Sequence, residues 1–269
     1  MREQGLLRRL GALEGGVVVP PRYDLGEWRE GDGAFHATAV AGYTRKLAAR
    51  VEGHVRGGDF PVVLGGDCSI LFGAVLALRR LGRYGVAYLD GHGDFRHPGN
   101  ATVSGPVGAT AGEGVALISG RGRPDLTDID GLRPYVRDDD LSLLGVRDAD
   151  EDLPEPTGLG ISHTAVGEIR RRGPGAVARE TLTRFHASSL DGFWIHLDAD
   201  VLDPSVMPAV DSPDPGGLFT DELRALLAPL AASPRCVGVD VTIYDPDRDP
   251  EKKGAAVPAG LLEDVFAQP

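Results

Sequence analysis

The chain alternates short, near-continuously apolar runs with longer amphipathic stretches. The apolar runs are Val17–Val19, Pro61–Leu64, Gly85–Leu89, Leu141–Val146, Phe193–Leu197 and Cys236–Val239. Most are apolar at successive positions, as strands buried on both faces of a parallel sheet are. Between them, Phe35–Val55, Ile70–Leu81, Val177–Ser188 and Asp221–Ala232 read as helices. The last has Thr220 as its expected N-cap and acids in its first turn. Strand followed by helix, repeated along the chain, predicts a doubly wound α/β fold on a mostly parallel sheet. No repeat, low-complexity tract or linker interrupts the pattern, so residues 1–269 are expected to form a single domain. Glycine and proline gather between elements, notably in Gly99–Gly114 and Leu153–Gly160. Long irregular connections of this kind often carry function.

Ligands of such folds bind beyond the carboxyl ends of the strands, and four strand ends here run into polar clusters. Leu64 leads into Gly65-Gly66-Asp67-Cys68-Ser69, and Leu89 into Asp90-Gly91-His92-Gly93-Asp94. Leu197 leads into Asp198-Ala199-Asp200 and on to Asp203-Pro204, and Val239 leads into Asp240. Alternate residues of an extended segment share a face, so Asp90, His92 and Asp94 are expected to point one way, as are Asp198 and Asp200. Four carboxylates and an imidazole gathered beside the Cys68 thiol repel one another unless a cation neutralises them. The mixed donor set suits Mn²⁺, with other divalent first-row metals open, and it suffices for two ions. Two such ions can share a water and lower its pKa, which equips a site to hydrolyse a polarised carbon–nitrogen or phosphorus–oxygen centre.

Composition narrows the partners. With 269 residues, 42% hydrophobic and 25% charged, the chain suits a soluble globular α/β protein. Its 40 acids outnumber its 28 bases, for a net charge of -12, which argues against nucleic acid or an anionic membrane as partner. A small-molecule substrate is expected instead. No apolar run approaches the roughly 18 residues of a membrane span. The N-terminal segment has no signal-peptide core, and Cys68 and Cys236 make no disulfide framework, so a cytoplasmic protein is expected.

The clusters resemble, in order and at comparable separations, three signatures of the arginase/agmatinase ureohydrolase family: Gly-Gly-Asp-His-Ser, Asp-Ala-His-x-Asp and Ser-x-Asp-x-Asp-x-x-Asp-Pro. The resemblance implies a three-layer α/β/α sandwich, a homo-oligomer (trimer or hexamer), two Mn²⁺ ions, and hydrolysis of a guanidino group to urea and an amine. It further implies that Asp90 and Asp198 bridge the two ions. Asp94 and the Cys68 position would complete one, and His92 and Asp200 the other.

Departures from the signatures bear on the chemistry. Cys68 replaces a metal-ligand histidine; it is either a thiolate ligand that alters metal preference or a small buried packing residue. In Ser104-Gly-Pro-Val-Gly108, a glycine stands where arginases place a proton-shuttling histidine. His97 or His196 is open as its substitute, although each reads more readily as structural. Ile243, in Gly238-Val-Asp240-Val-Thr-Ile243, replaces a guanidinium-binding glutamate and offers no partner to a cation. In the loop beyond Pro204, Asp211 and Ser212 are candidate substrate contacts, with Asp211 alternatively a turn cap. By the same resemblance Asp150 contacts a substrate α-amino group and Ser104 a carboxylate. Arg96, in place of an asparagine, either grips that carboxylate or is merely exposed. The candidate catalytic residues are therefore Asp94, Asp211, His97 and His196.

The expected activity is metal-dependent cleavage of a non-peptide C–N bond in a guanidino or amidino compound. A modified guanidino amino acid such as N-hydroxyarginine fits better than plain arginine. Two alternatives stay open: a catalytically weak metal-binding relative with an assembly or sensing role, and a hydrolase of formimino or acylamino compounds.

Overall fold

The apolar runs pair into one six-stranded sheet in which every pairing is parallel. The computed structural model describes residues 1–22, 34–100 and 110–267. The strands are β1 (Val62–Leu64), β2 (Tyr84–Leu89), β3 (Leu141–Leu144), β4 (Ser162–Thr164), β5 (Gly192–Asp198) and β6 (Cys236–Thr242). Their order is β1-β6-β5-β2-β3-β4, which puts β5 and β2 at the centre.

Helices cover both faces. Val86 and Tyr88 of β2 join a core with α1 (Ala37–Gly57) and α2 (Ile70–Leu81). Ala87 and Leu89, on the opposite face, join the core formed by four further helices. These are α3 (Val166–Arg172), α4 (Pro174–Ala187), α5 (Thr220–Ala231) and α6 (Lys253–Phe266). Each central strand thus buries both sets of alternate side chains, which is why its sequence is continuously apolar. The result is a three-layer α/β/α sandwich.

The differences from expectation have local causes. Val17–Val19 pairs with no strand among the described residues, and Val17 and Val19 are 63% and 73% exposed. β4, at the sheet edge, reads Ser-His-Thr and has no apolar run to announce it; backbone pairing with β3 makes it a strand. α6 is masked in sequence by Gly254, Pro258 and Gly260, yet Ala255, Ala259 and Leu262 bury one stripe. Thr220 is the first helical residue of α5 rather than its cap. Phe219 takes the cap position in extended geometry, and its N–H donates to the Glu222 carboxylate at 2.9 Å. The Leu153–Gly160 connection contains a helical turn, Pro154–Gly158. No helix among the described residues is long and apolar enough to cross a membrane.

Register decides where the polar clusters meet. Leu89 pairs with Leu197, so Asp90 and Asp198 leave the two central strands side by side. Asp198 in turn pairs with Thr242 of β6. Gly238 permits this packing, since a Cβ there would lie 2.1 Å from the ring of Trp194, which is fully buried. Gly238→Ala is therefore expected to destabilise the protein by about 1–3 kcal/mol through overpacking. A denaturant titration checks this; an unchanged midpoint would show that the indole relocates freely.

Candidate metal centre

Two rows of side chains cross the sheet at its carboxyl end. In the first, Tyr88, His196 and Asp240 sit abreast on β2, β5 and β6. The Tyr88 and His196 ring centroids are 4.4 Å apart, and His196 Nδ1 lies 2.6 Å from Asp240 Oδ2. The other Asp240 oxygen accepts the Trp194 Nε1–H at 2.5 Å. One step further on, Asp90, Asp198 and Thr242 form the second row. The Thr242 hydroxyl donates to Asp198 Oδ2 at 3.1 Å.

β2 stops at Leu89, so strand alternation does not aim the Asp90–Asp94 cluster. Tight aspartate turns do so instead. Asp90 Oδ1 accepts the His92 N–H at 2.7 Å, and Asp198 Oδ1 accepts the Asp200 N–H at 2.7 Å. One oxygen of each carboxylate holds its own loop, and the other is left to the site. Asp200 uses an oxygen on the Gly91 N–H at 3.1 Å, which ties the two loops together.

Two groups of potential ligand atoms result. Cys68, Asp90, His196 and Asp198 offer atoms all within 4.8 Å of one another, as do Asp90, His92 and Asp200, and Asp90 belongs to both groups. Cys68 arrives at the mouth of α2 after Gly65 and Gly66, whose φ values of +107° and +71° suit glycine. Its thiol donates to Asp198 Oδ2 at 2.8 Å. His92 sits between carboxylates, with Nδ1 3.1 Å from Asp200 Oδ2 and Nε2 3.0 Å from Asp214 Oδ2.

The electrostatics and the hydrogen bonding both fit a divalent cation. Burial, and then neighbouring carboxylates, push the Asp90, Asp94 and Asp198 carboxyls above the usual range. Burial and Asp198 likewise push the Cys68 thiol well up. Burial pushes Asp200 the same way, but hydrogen bonding to His92 prevails and holds it low. Asp90 Oδ2 and His196 Nε2 are buried with no hydrogen-bond partner, 3.9 Å apart. Unsatisfied buried acceptors are costly, and a cation is the partner that carboxylate and imidazole lone pairs share.

The other candidates are scattered. Asp94, at a left-handed φ of +46°, is buried with its Oδ2 accepting the Tyr88 hydroxyl at 2.5 Å, and it enters neither ligand group. His97 is placed with Glu155, Nε2 to Oε1 at 3.0 Å, while its Nδ1 accepts the Gly99 N–H at 3.1 Å. Both ring nitrogens are thus engaged in the loop. Arg96 pairs with Asp152 at 3.3 Å and Glu151 at 3.4 Å. Asp150 accepts the Asp152 N–H at 2.9 Å and lies against Gly93, where a Cβ would sit 3.1 Å from its Oδ1. Asp211 and Ser212 are exposed side chains; partial loss of solvation around the Asp211 carboxylate, and then the Asp200 charge, raise that carboxyl. Ser104 and Gly108 lie outside the described residues.

Several contributors carried no sequence signal of their own. Arg147 is buried and donates to the carbonyl oxygens of Asp200 at 2.8 Å, Leu202 at 3.3 Å and Asp214 at 2.8 Å. It thereby fixes the Asp214 loop to the metal-site loop. Tyr88 precedes Asp90 by two residues, as His196 precedes Asp198, so strand parity could have paired each with the site. The placing of Asp240 opposite His196 depends on register between distant strands.

A profile of the arginase family matches residues 17–267. The chain is similar to the arginase of Bacillus caldovelox, 32% identical over 277 residues that cover 100% of this chain and 90% of the relative. It is also similar to the arginase of Brevibacillus brevis, 32% identical over 273 residues, 99% of this chain and 89% of that one. The solved structure of Bacillus caldovelox arginase matches with a TM-score of 0.87 at 31% identity, covering 100% of this chain and 90% of that one. The formimidoylglutamase of Bacillus subtilis subsp. subtilis str. 168 shares the fold, with a TM-score of 0.69 at 22% identity over 86% of this chain and 66% of its own. With the match running nearly end to end and two groups of potential ligand atoms at the carboxyl edge of the sheet, the chain belongs to the arginase family of metal-dependent amidinohydrolases.

Proposed function

We propose that the protein uses two divalent ions, Mn²⁺ foremost, to hydrolyse a non-peptide C–N bond of a guanidino amino acid less basic than arginine, such as an N-hydroxylated arginine. The observation that carries this reading is the pair of ligand groups sharing Asp90. Asp90 and Asp198 would hold one ion, with Cys68 or His196 beside them, and Asp90, His92 and Asp200 the other. Bound ions supply Lewis acidity and lower the pKa of water.

The chain's own groups then divide the remaining work. Asp94 is kept from solvent, and Tyr88 occupies its Oδ2, so Oδ1 is the atom that takes a proton at the site. Asp214 orients the His92 ring through Nε2. Arg147 holds the loop that presents Asp211 and Ser212, and the Asp211 carboxyl responds to both Asp200 and His92. That places Asp211 to receive the cationic end of the substrate or its leaving amine. Asp150, packed on Gly93, is placed for the α-amino group, whereas the Arg96 guanidinium is already engaged by Asp152. Ile243 contributes no charge where a strongly basic guanidinium would need one. N-hydroxylation lowers guanidine basicity and with it that need. Assembly as a trimer or hexamer of single-domain subunits in the cytoplasm belongs to the same reading.

Metal binding and turnover both test it. Mn²⁺ should raise the melting temperature of the chelator-treated protein, with about 2.7 kcal/mol gained at a hundredfold excess over Kd. Asp90→Ala should empty both positions by metal analysis and abolish that rise; full occupancy in the variant would refute a shared ligand. Turnover is to be screened on guanidino, hydroxyguanidino, formimino and acylamino compounds, with urea, hydroxyurea and ammonia assayed as products. Ile243→Glu should raise activity on arginine. Asp211→Asn should cut turnover of the best substrate by about one to two decades, the equivalent of one charge-assisted hydrogen bond, while leaving metal content intact. Native turnover of arginine equal to that of every other compound would overturn the substrate assignment.

A further inference from the structure

We propose that His196, through Nε2, is a ligand of the ion held by Asp90 and Asp198, and that it supplies the imidazole absent at position 68. The inference rests on the metal reading above and assigns a ligand beyond it.

His196 is 0% exposed, and its Nε2 has no hydrogen-bond partner. The nearest acidic atom, Asp90 Oδ2 at 3.9 Å, is too distant for a hydrogen bond and is itself unpartnered. Two buried lone-pair atoms facing one another across that gap are what an ion between them would satisfy. The opposite ring nitrogen fixes the tautomer. Nδ1 lies 2.6 Å from Asp240 Oδ2, so Nδ1 donates its proton there, and in the neutral ring that leaves the lone pair on Nε2. A carboxylate behind a ligating histidine, holding its orientation, is the usual support for such a ligand. Trp194 anchors that carboxylate in turn, and the Tyr88 ring packs against the imidazole.

Position 68 supports the same assignment. In the group formed by Cys68, Asp90, His196 and Asp198, the thiol is the hydrogen-bond donor to Asp198, so it carries its proton and is not the free donor atom. A thiolate there would add a further negative charge among Asp90, Asp94 and Asp198, whereas an imidazole is a neutral donor. Two departures from the signatures fall within this one group: the first signature has histidine where this chain has Cys68, and the third has serine where it has His196. The imidazole has crossed from the α2 side of the cavity to β5.

The test uses the full-length protein. With ¹⁵N-labelled histidine and Co²⁺ in place of Mn²⁺, proton NMR should show two strongly hyperfine-shifted imidazole N–H signals, from His92 and His196; a single signal would overturn the proposal without any variant. By equilibrium dialysis and metal analysis, the native protein should hold two Mn²⁺ and His196→Gln one. The double replacement Cys68→His, His196→Ser should hold two again. Asp240→Asn, which removes the charge that supports the imidazole, should weaken one ion by about 10- to 100-fold and leave the affinity for the other at the native value. Two ions bound with native affinity in a folded His196→Gln protein would overturn the inference and leave the two-metal reading standing. No Mn²⁺ on the native protein would overturn both.

Discussion

Asp90, Asp198 and Asp200 are brought together by strand pairing in a place where water cannot screen them. Two unit charges 4 Å apart at an effective dielectric of about 20 interact by roughly 4 kcal/mol, so this arrangement opposes folding unless something is gained from it. Local turns absorb part of the strain: each aspartate gives an oxygen to a nearby backbone N–H. His92 and the Cys68 thiol absorb more. What is left over, the unpartnered oxygen of Asp90 and nitrogen of His196, has no protein partner and defines the space for a cation.

The scaffold around these groups is built to hold them without adjustment. From the bare backbone of Gly238 a line of contacts runs through the Trp194 indole to Asp240 and then to the His196 ring. Arg147 acts apart from it, gathering the carbonyls of two loops with one guanidinium. Gly91 is required by that guanidinium: a Cβ there would lie 2.5 Å from Arg147 Nη1, so the alanine of the family signature does not fit this chain. The Asp200–Leu202 segment and the Asp214 loop are therefore one mechanical unit. A change in either is felt by the other through Arg147.

The charge distribution also bears on what the site accepts. Carboxylates dominate the inner wall, and no carboxylate stands at Ile243, whose neighbour Thr242 already serves Asp198. Negative charge on the approach side comes from the Asp211–Asp214 loop, and Asp214 is committed to His92. On the function proposed above, a strongly basic guanidinium would find less support here than a weaker base.

Much of this was legible in the chain itself. Continuous apolar runs such as Gly85–Leu89 and Phe193–Leu197 announce buried parallel strands, because only a two-sided burial makes alternation disappear. The aspartates that follow them announce a metal site, because like charges are clustered only around a cation. β4 and α6 were not legible: Ser162–Thr164 is a strand only because β3 offers it an edge, and α6 tolerates Gly254 and Pro258 because its alanine and leucine stripe is buried. In the site, spacing along the chain placed Asp90 near His92 and Asp198 near Asp200, since an aspartate turn is a local structure. It could not place His196 against Asp240, Arg147 beneath Asp214, or His97 away with Glu155. Those contacts join residues 44, 67 and 58 positions apart. They depend on which strands lie side by side and in what register, and that is decided only when the whole sheet closes.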